Sequence, residues 1–245
     1  MKILIMSDLH FEQYQDRGIS FIKDLKSEGV DVLVLAGDIL STSTYSTRLN
    51  VFKAFCDKYP HVVFVAGNHE MYGNSVYRVE NQLMRLANDL SNLHILDSST
   101  VEINGQRFIG ATGWFKKDPD QTKQDRDCMG DFWYIENFVP WVYQKNKTFN
   151  AFLKKELKSS DICISHHLPS YLSIHPIFKN DRLNQFFVNN CEKLIKERQP
   201  KLFIHGHTHF AMSYNIGNTK VICNPKGYLS ETNYSGFNPY LTIDV

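Results

Sequence analysis

The residues best able to do chemistry sit where apolar runs stop. Ile3-Leu4-Ile5-Met6 ends on Ser7-Asp8-Leu9-His10, and Val32-Leu33-Val34-Leu35-Ala36 ends on Gly37-Asp38. Val62-Val63-Phe64-Val65-Ala66 ends on Gly67-Asn68-His69-Glu70. Ile162-Cys163-Ile164 ends on Ser165-His166-His167, and Leu202-Phe203-Ile204 on His205-Gly206-His207-Thr208-His209. A carboxylate offers a hard oxygen and an imidazole a borderline nitrogen, the usual donors to divalent metals. One Asp-x-His is explained as a turn cap beside a surface histidine. Five such endings are not, because buried strands normally end in turn formers alone. About seven N and O donors are too many for one tetrahedral zinc and suit two divalent ions sharing a bridging carboxylate. His207 and His209, two apart, are expected on one side of a strand, with Thr208 pointing away.

The elements that must carry these residues alternate. Ile19, Ile22 and Leu25 mark a helix face capped by Gly29, and Val51 to Tyr59 reads as a helix ended by Pro60. Strand-helix alternation predicts parallel strands whose C-terminal ends share an edge, where ligands collect. Val76, Val79, Leu83, Leu86 and Leu90 keep a helical period. Leu93–Leu96 is a short strand, and 101–103 and 107–109 form a hairpin about Asn104-Gly105. Helices are expected over Phe149–Lys158 and Asp181–Arg198, the latter stopped by Pro200. A second hairpin joins Ala211–Asn215 to Lys220–Cys223 around Gly217-Asn218, and Leu241–Asp244 closes a sheet. From 113 to 147 the periodicity fails. All three tryptophans (114, 133, 141) fall there, so this stretch reads as an aromatic-rich insertion in a single domain spanning 1–245.

The totals remove several classes. A chain of 245 residues with 42% hydrophobic and 22% charged residues is ordinary for a soluble globular protein. A formal charge of +1 offers no basic track for duplex nucleic acid and no field for an anionic membrane. The five cysteines are odd in number and contain no Cys-x-x-Cys, which argues against a disulfide framework and for a reducing cytoplasm. No apolar run is long enough to span a bilayer, and Met1-Lys2 leads straight into a strand, leaving no room for a signal peptide.

Asp8-x-His10, Gly37-Asp38, Gly67-Asn68-His69-Glu70, Ser165-His166 and Gly206-His207-x-His209 together resemble the five ordered blocks of the calcineurin-like metallophosphoesterases. The resemblance implies an α/β fold, a four-layer α/β/β/α sandwich with the metal site at strand C-terminal ends. It further implies one metal on Asp8, His10 and His209, a second on Asn68, His166 and His207, and Asp38 bridging them. His69 would act as proton donor or charge stabiliser. The metals would be two divalent ions, with manganese, iron and zinc all open. The implied activity is metal-dependent hydrolysis of a small phosphomonoester or phosphodiester by a metal-bridging hydroxide. A nuclease-type phosphodiesterase and a non-catalytic metal-binding scaffold are the alternatives.

Departures from particular branches narrow this. Protein serine/threonine phosphatases follow Gly-Asp with Val-Asp-Arg-Gly and place an Arg before Gly-Asn-His-Glu. Here Ile39-Leu40-Ser41 follows Asp38 and Ala66 precedes Gly67. Purple acid phosphatases carry a tyrosine ligand where Ser41 stands, and the lipid A pathway pyrophosphatases carry an arginine where His69 stands. Among the remaining histidines, His167 is expected to line the pocket and His205 to be a strand-end core residue. Glu70 is expected either to orient His69 or a ligand, or to sit at a helix N-terminus.

Overall fold

The computed structural model describes residues 1–245. In chain order, β1 (Lys2–Met6), α1 (Ile19–Asp24), β2 (Val32–Ala36), α2 (Tyr45–Cys56) and β3 (His61–Val65) alternate as expected. The two-residue β4 (Asn74–Ser75) precedes α3 (Val76–Asp89), and β5 (Leu93–Ile95), β6 (Ser99–Ile103) and β7 (Gln106–Gly110) follow. Next come α4 (Lys123–Asp127), α5 (Asp131–Tyr134), the two-residue β8 (Ile135–Glu136), α6 (Phe138–Glu156) and β9 (Ile162–Ile164). The chain ends through α7 (Asn184–Phe187), α8 (Glu192–Arg198), β10 (Leu202–His205), β11 (Met212–Ile216), β12 (Thr219–Cys223) and β13 (Thr242–Asp244).

Two large sheets result, ordered β13-β1-β2-β3-β5 and β11-β12-β10-β9-β7-β6, and β4 pairs with β8 in a small third one. β1, β2, β3 and β5 are parallel, as are β12, β10, β9 and β7; β13, β11 and β6 pair antiparallel at the edges. Alternation along the strands assigns the layers. Ile5, Val34 and Val63 of the first sheet meet Phe108, Ile164 and Ile204 of the second in one apolar layer. Leu4, Leu35 and Phe64 turn the other way onto Ile22 of α1, Phe52 and Phe55 of α2, and Val79 and Leu86 of α3. Cys163, Phe203 and Val221 face Phe149 and Leu153 of α6 and Ile195 of α8. These contacts make the α/β/β/α sandwich. Each such Leu, Ile or Phe, fully buried, contributes roughly 1.5–3 kcal/mol.

Several expected boundaries moved. The helix expected over 149–158 starts earlier: Val139 is extended (φ −104°, ψ 131°) and kinks α6 after Phe138, and the chain is helical from Pro140, a residue tolerated in a first turn, where the aromatic residues hide the helical period. Four rings of the 113–147 stretch, Trp114, Phe115, Phe138 and Trp141, lie inside the core cluster beneath the first sheet. The helix expected over 181–198 is broken in two. Val188 is extended (φ −110°, ψ 122°) and bridges Leu168, and the buried Asn189 side chain accepts from the amides of Asn146 and Asn150, both at 3.1 Å. Those tertiary partners outweigh local helical propensity. Gly29 is no helix cap: α1 already ends at Asp24, with extended Leu25 after it. No helix is long and apolar enough to cross a membrane.

Candidate metal centre

β1, β2, β3, β9 and β10 release their chains along one edge of the sandwich, and backbone hydrogen bonds tie the exits together. Asp8 N–H donates to Gly37 C=O at 2.9 Å, His10 N–H to Asp38 C=O at 3.0 Å, and Gly206 N–H to His166 C=O at 3.0 Å. Five of the ten non-glycine residues with positive φ stand here: Asp8, His10, Asp38, His207 and His209. Left-handed backbone at L-residues costs free energy and persists where surrounding structure enforces it, commonly at functional sites.

The structure brings the expected side chains into two groups. Donor atoms of Asp8, His10, Asp38 and His209 lie within 4.8 Å of one another, and so do those of Asp38, His166 and His207. Asp38 belongs to both. Asn68 turns its Oδ1 to within 3.1 Å of His166 Nε2. His69 stands beside the first group, its ring 4.5 Å from that of His10, and its N–H donates to Asp38 Oδ1 at 2.9 Å. The strand expected to carry His207 and His209 stops at His205. With φ of 70° and 53° the two residues turn their rings into different groups, and Thr208 lines the cleft rather than pointing away.

Whether this donor set fits metal ions can be judged from its hydrogen-bond bookkeeping. His10 Nδ1 faces Glu12 Oε1 at 2.9 Å, and His209 Nδ1 faces Glu231 Oε2 at 2.6 Å, so each Nδ1 holds a proton against a carboxylate. Their Nε2 atoms meet at 3.1 Å, which in neutral rings sets lone pair against lone pair beside Asp8. His166 repeats the pattern. Its Nδ1 donates to the Ala36 carbonyl at 2.9 Å, leaving Nε2 bare before Asn68 Oδ1, His207 Nδ1 and Asp38 Oδ2 at 3.1, 3.1 and 3.2 Å. In neutral rings these are converging acceptors with no donor between them, an arrangement that a cation relieves, and the Asp and His residues fit divalent metal.

The charge balance of the site points the same way. Burial pushes His209 down, but hydrogen bonds to Asp8 and Glu231 win and hold it up at about 10. Burial also opposes charge on His166, yet Asp38 raises it to about 9. Asp38 is well below the ordinary carboxylate range, because His166 and His69 outweigh its desolvation. His167 takes the opposite course: burial and then the His166 charge lower it to about 3, and its ring lies between those of Trp114 and His207 at 4.8 and 4.4 Å. It lines the core rather than the cleft.

Several contributors carried no sequence signal. Glu12 and Glu231 fix the His10 and His209 tautomers, and the Tyr228 hydroxyl lies 3.1 Å from His69 Nε2. Only Glu12, two residues after His10, could have been suspected from position. Glu70 does both things expected of it: it sits in the first turn of the 3-10 helix His69–Met71 and holds the backbone of the candidate ligand Asp38. Buried, it accepts from the backbone N–H groups of Asp38, Ile39, Leu40 and Gly67 at 2.9, 2.8, 3.0 and 2.6 Å, so it pins the loop carrying Asp38 to the loop carrying Asn68.

The calcineurin-like phosphoesterase family model matches residues 1–211. This chain belongs to that family. The family implies metal-dependent phosphoester hydrolysis, for which the Asp and His groups above are the candidate ligands. Among solved structures, this calcineurin-like phosphoesterase is similar to the phosphopantetheinyl hydrolase from Mycobacterium tuberculosis, with a TM-score of 0.75 at 12% identity over 95% of this chain and 91% of that one. It is also similar to the protein TT1561 of Thermus thermophilus, with a TM-score of 0.58 at 14% identity over 91% and 88% of the two chains. At such identities the likeness concerns the fold. No curated protein is matched by the sequence.

Proposed function

We propose that this calcineurin-like phosphoesterase hydrolyses a small phosphomonoester or phosphodiester with two divalent ions, manganese, iron or zinc. Asp8, His10 and His209 would hold one, Asn68, His166 and His207 the other, with Asp38 between them. The observation that carries the reading is the pair of opposed imidazole nitrogens, His10 Nε2 against His209 Nε2 at 3.1 Å, each with its other nitrogen committed to a carboxylate. When bound, the ions would supply a water of lowered pKa and charge to offset that of the phosphoryl transition state.

The chain's own residues do the rest. Asn68 contributes an uncharged oxygen, so its side of the site stays more electropositive than a carboxylate would leave it. His69 sits in the cleft with its imidazole raised: burial opposes the charge, but Asp38 and Glu12 favour it. Its Nε2, next to the Tyr228 hydroxyl, is the atom placed to give a proton to the departing ester oxygen. No lysine or arginine lines the cleft, which disfavours a nuclease reading. The five cysteines are unpaired, in keeping with a cytoplasmic location, and we read residues 1–245 as one domain.

The test is hydrolysis of p-nitrophenyl phosphate and bis-p-nitrophenyl phosphate by chelator-stripped protein reloaded with manganese, beside Asp38→Asn. Metal-dependent turnover, lost in a variant that still folds, is the expected result, and the preferred substrate separates monoesterase from diesterase. Bound metal without turnover would favour a scaffold. Protein that takes up no metal would sink the reading.

A further inference from the structure

The metal-ligand candidates form one wall of a cleft of about 640 Å³, a volume within the range of small-molecule sites and far larger than a phosphate needs. The rest of the lining has a different character. It is built by Phe178, Phe187, Phe210 and Tyr234, with Ile177 and Met129 beside them. Ile177 is 67% and Tyr234 54% exposed, a large apolar surface left open next to a polar centre. His175 lies flat against one face of Phe210, with centroids 3.9 Å apart and planes at 15°, while Phe178 and Tyr234 approach it at 6.1 and 5.9 Å. This packing fixes the Phe210 ring beside the cleft.

Charge decides what the apolar wall can accept. Apart from the candidate ligand Asp38, the acidic side chains lining the cleft are Asp131 and Glu231; no lysine or arginine reaches it. A second phosphate or a carboxylate on the substrate would find no cation outside the metal centre and would meet two carboxylates. A flat uncharged group would displace water from four aromatic rings.

We propose that the cleft takes a phosphoester with a single phosphorus group whose leaving alcohol is uncharged and carries a ring, and that Phe210 and Tyr234 set this preference by stacking. This rests on the phosphoesterase reading above. In the reaction, water oxygen bonds to phosphorus, the ester P–O bond breaks, and the departing oxygen takes a proton to leave as the ring-bearing alcohol. The reaction that supplies the substrate must therefore place phosphate on an apolar, ring-bearing alcohol; a nucleoside diphosphate or a bisphosphate sugar does not fit.

The test uses the manganese-loaded protein and non-hydrolysable probes, so that binding is read apart from turnover. Calorimetry compares methylphosphonate, benzylphosphonate and p-xylylene bisphosphonate, which adds a second anion to the same ring. Hydrolysis of ethyl phosphate and benzyl phosphate, whose alcohols have similar acidity, runs alongside. Benzylphosphonate should bind about tenfold tighter than methylphosphonate, the bisphosphonate should lose that gain, and Phe210→Ala or Tyr234→Ala should each shrink the benzyl-to-methyl ratio several-fold. Equal binding of the benzyl and methyl probes, tighter binding of the bisphosphonate, or an unchanged ratio in both variants would overturn the proposal while leaving the phosphoesterase reading standing. No binding of any probe together with no hydrolysis of either ester would overturn the phosphoesterase reading and this one with it.

Discussion

The Asn68 amide nitrogen donates to Asp131 Oδ1 at 2.9 Å, and Tyr72 donates its hydroxyl to the same oxygen at 2.8 Å. An amide can be turned end for end, and only one orientation presents oxygen to the metal centre. Asp131, at the start of α5, chooses it. Removing the acceptor in Asp131→Ala should weaken one of the two metal sites by about 10–100-fold, the usual cost of losing a partner behind a ligand. Asp131→Asn retains an acceptor oxygen and should lose much less. Metal titration against a competing chelator reads both, and equal losses in the two variants would mean that Asp131 acts through its charge and not through Asn68.

Glu70 offers a second prediction. Its four backbone donors all require an acceptor, and Arg48, itself buried, donates to the Glu70 carbonyl at 3.1 Å. Glu70→Gln sets an amide NH2 against two of those N–H groups, leaving them buried and unsatisfied at about 1–3 kcal/mol. The urea midpoint of metal-free protein should fall accordingly, and turnover of the reloaded variant should fall as well, because the Asp38 loop loses its anchor. A stable variant with full activity would show the four bonds to be dispensable.

These two residues mark what the sequence could and could not disclose. The five strand endings were legible because each ligand candidate lies within about five residues of a buried apolar run, so local pattern alone locates it. Asp131, Tyr228 and Glu231 come from segments with no period and reach the site only through the tertiary fold. The single helix expected over 181–198 failed for the same reason: nothing in its period signals that Asn189 will be drawn between α6 side chains. His207 and His209 were placed on a strand because spacing by two suggests one. Their left-handed backbone, which sends the rings to different groups, leaves no mark in residue type.

His205 gives a pH dependence whose sign can be worked out. The ring is buried at the end of β10, donating Nδ1–H to the Gly206 carbonyl at 2.9 Å and accepting at Nε2 from the Ser173 hydroxyl at 3.0 Å. Burial lowers it to about 4 from its ordinary 6.5. The fold therefore favours the neutral ring, and the unfolded chain takes up the proton first. The contribution is complete above about pH 6.5 and is lost as pH falls towards 4, the loss reaching roughly 2 kcal/mol at pH 5. Comparing urea midpoints of chelated wild-type protein and His205→Gln at pH 7 and pH 5 isolates the effect, since other acid-sensitive groups are shared. Wild type should lose more stability than the variant over this interval; parallel losses would refute the assignment.

Gly37 and Gly105 separate backbone strain from crowding at the centre. Both have positive φ, 87° and 80°, where an added Cβ is strained by about 1–2 kcal/mol. At Gly105, in the β6–β7 hairpin, such a Cβ meets nothing within 4 Å. At Gly37 it would run into the His166 imidazole and come within 2.9 Å of the Gly67 amide nitrogen. Gly105→Ala should thus lose only the backbone cost and keep its metal affinity and turnover. Gly37→Ala should lose at least about 1 kcal/mol more, and because relief requires the His166 ring or the Gly67 backbone to move, its metal affinity should drop by an order of magnitude or more. Urea unfolding and chelator competition on the two variants check this. If they lost stability equally and bound metal equally, His166 would not be held where Gly37 lets it stand, and the ligand set proposed for the second ion would have to be redrawn.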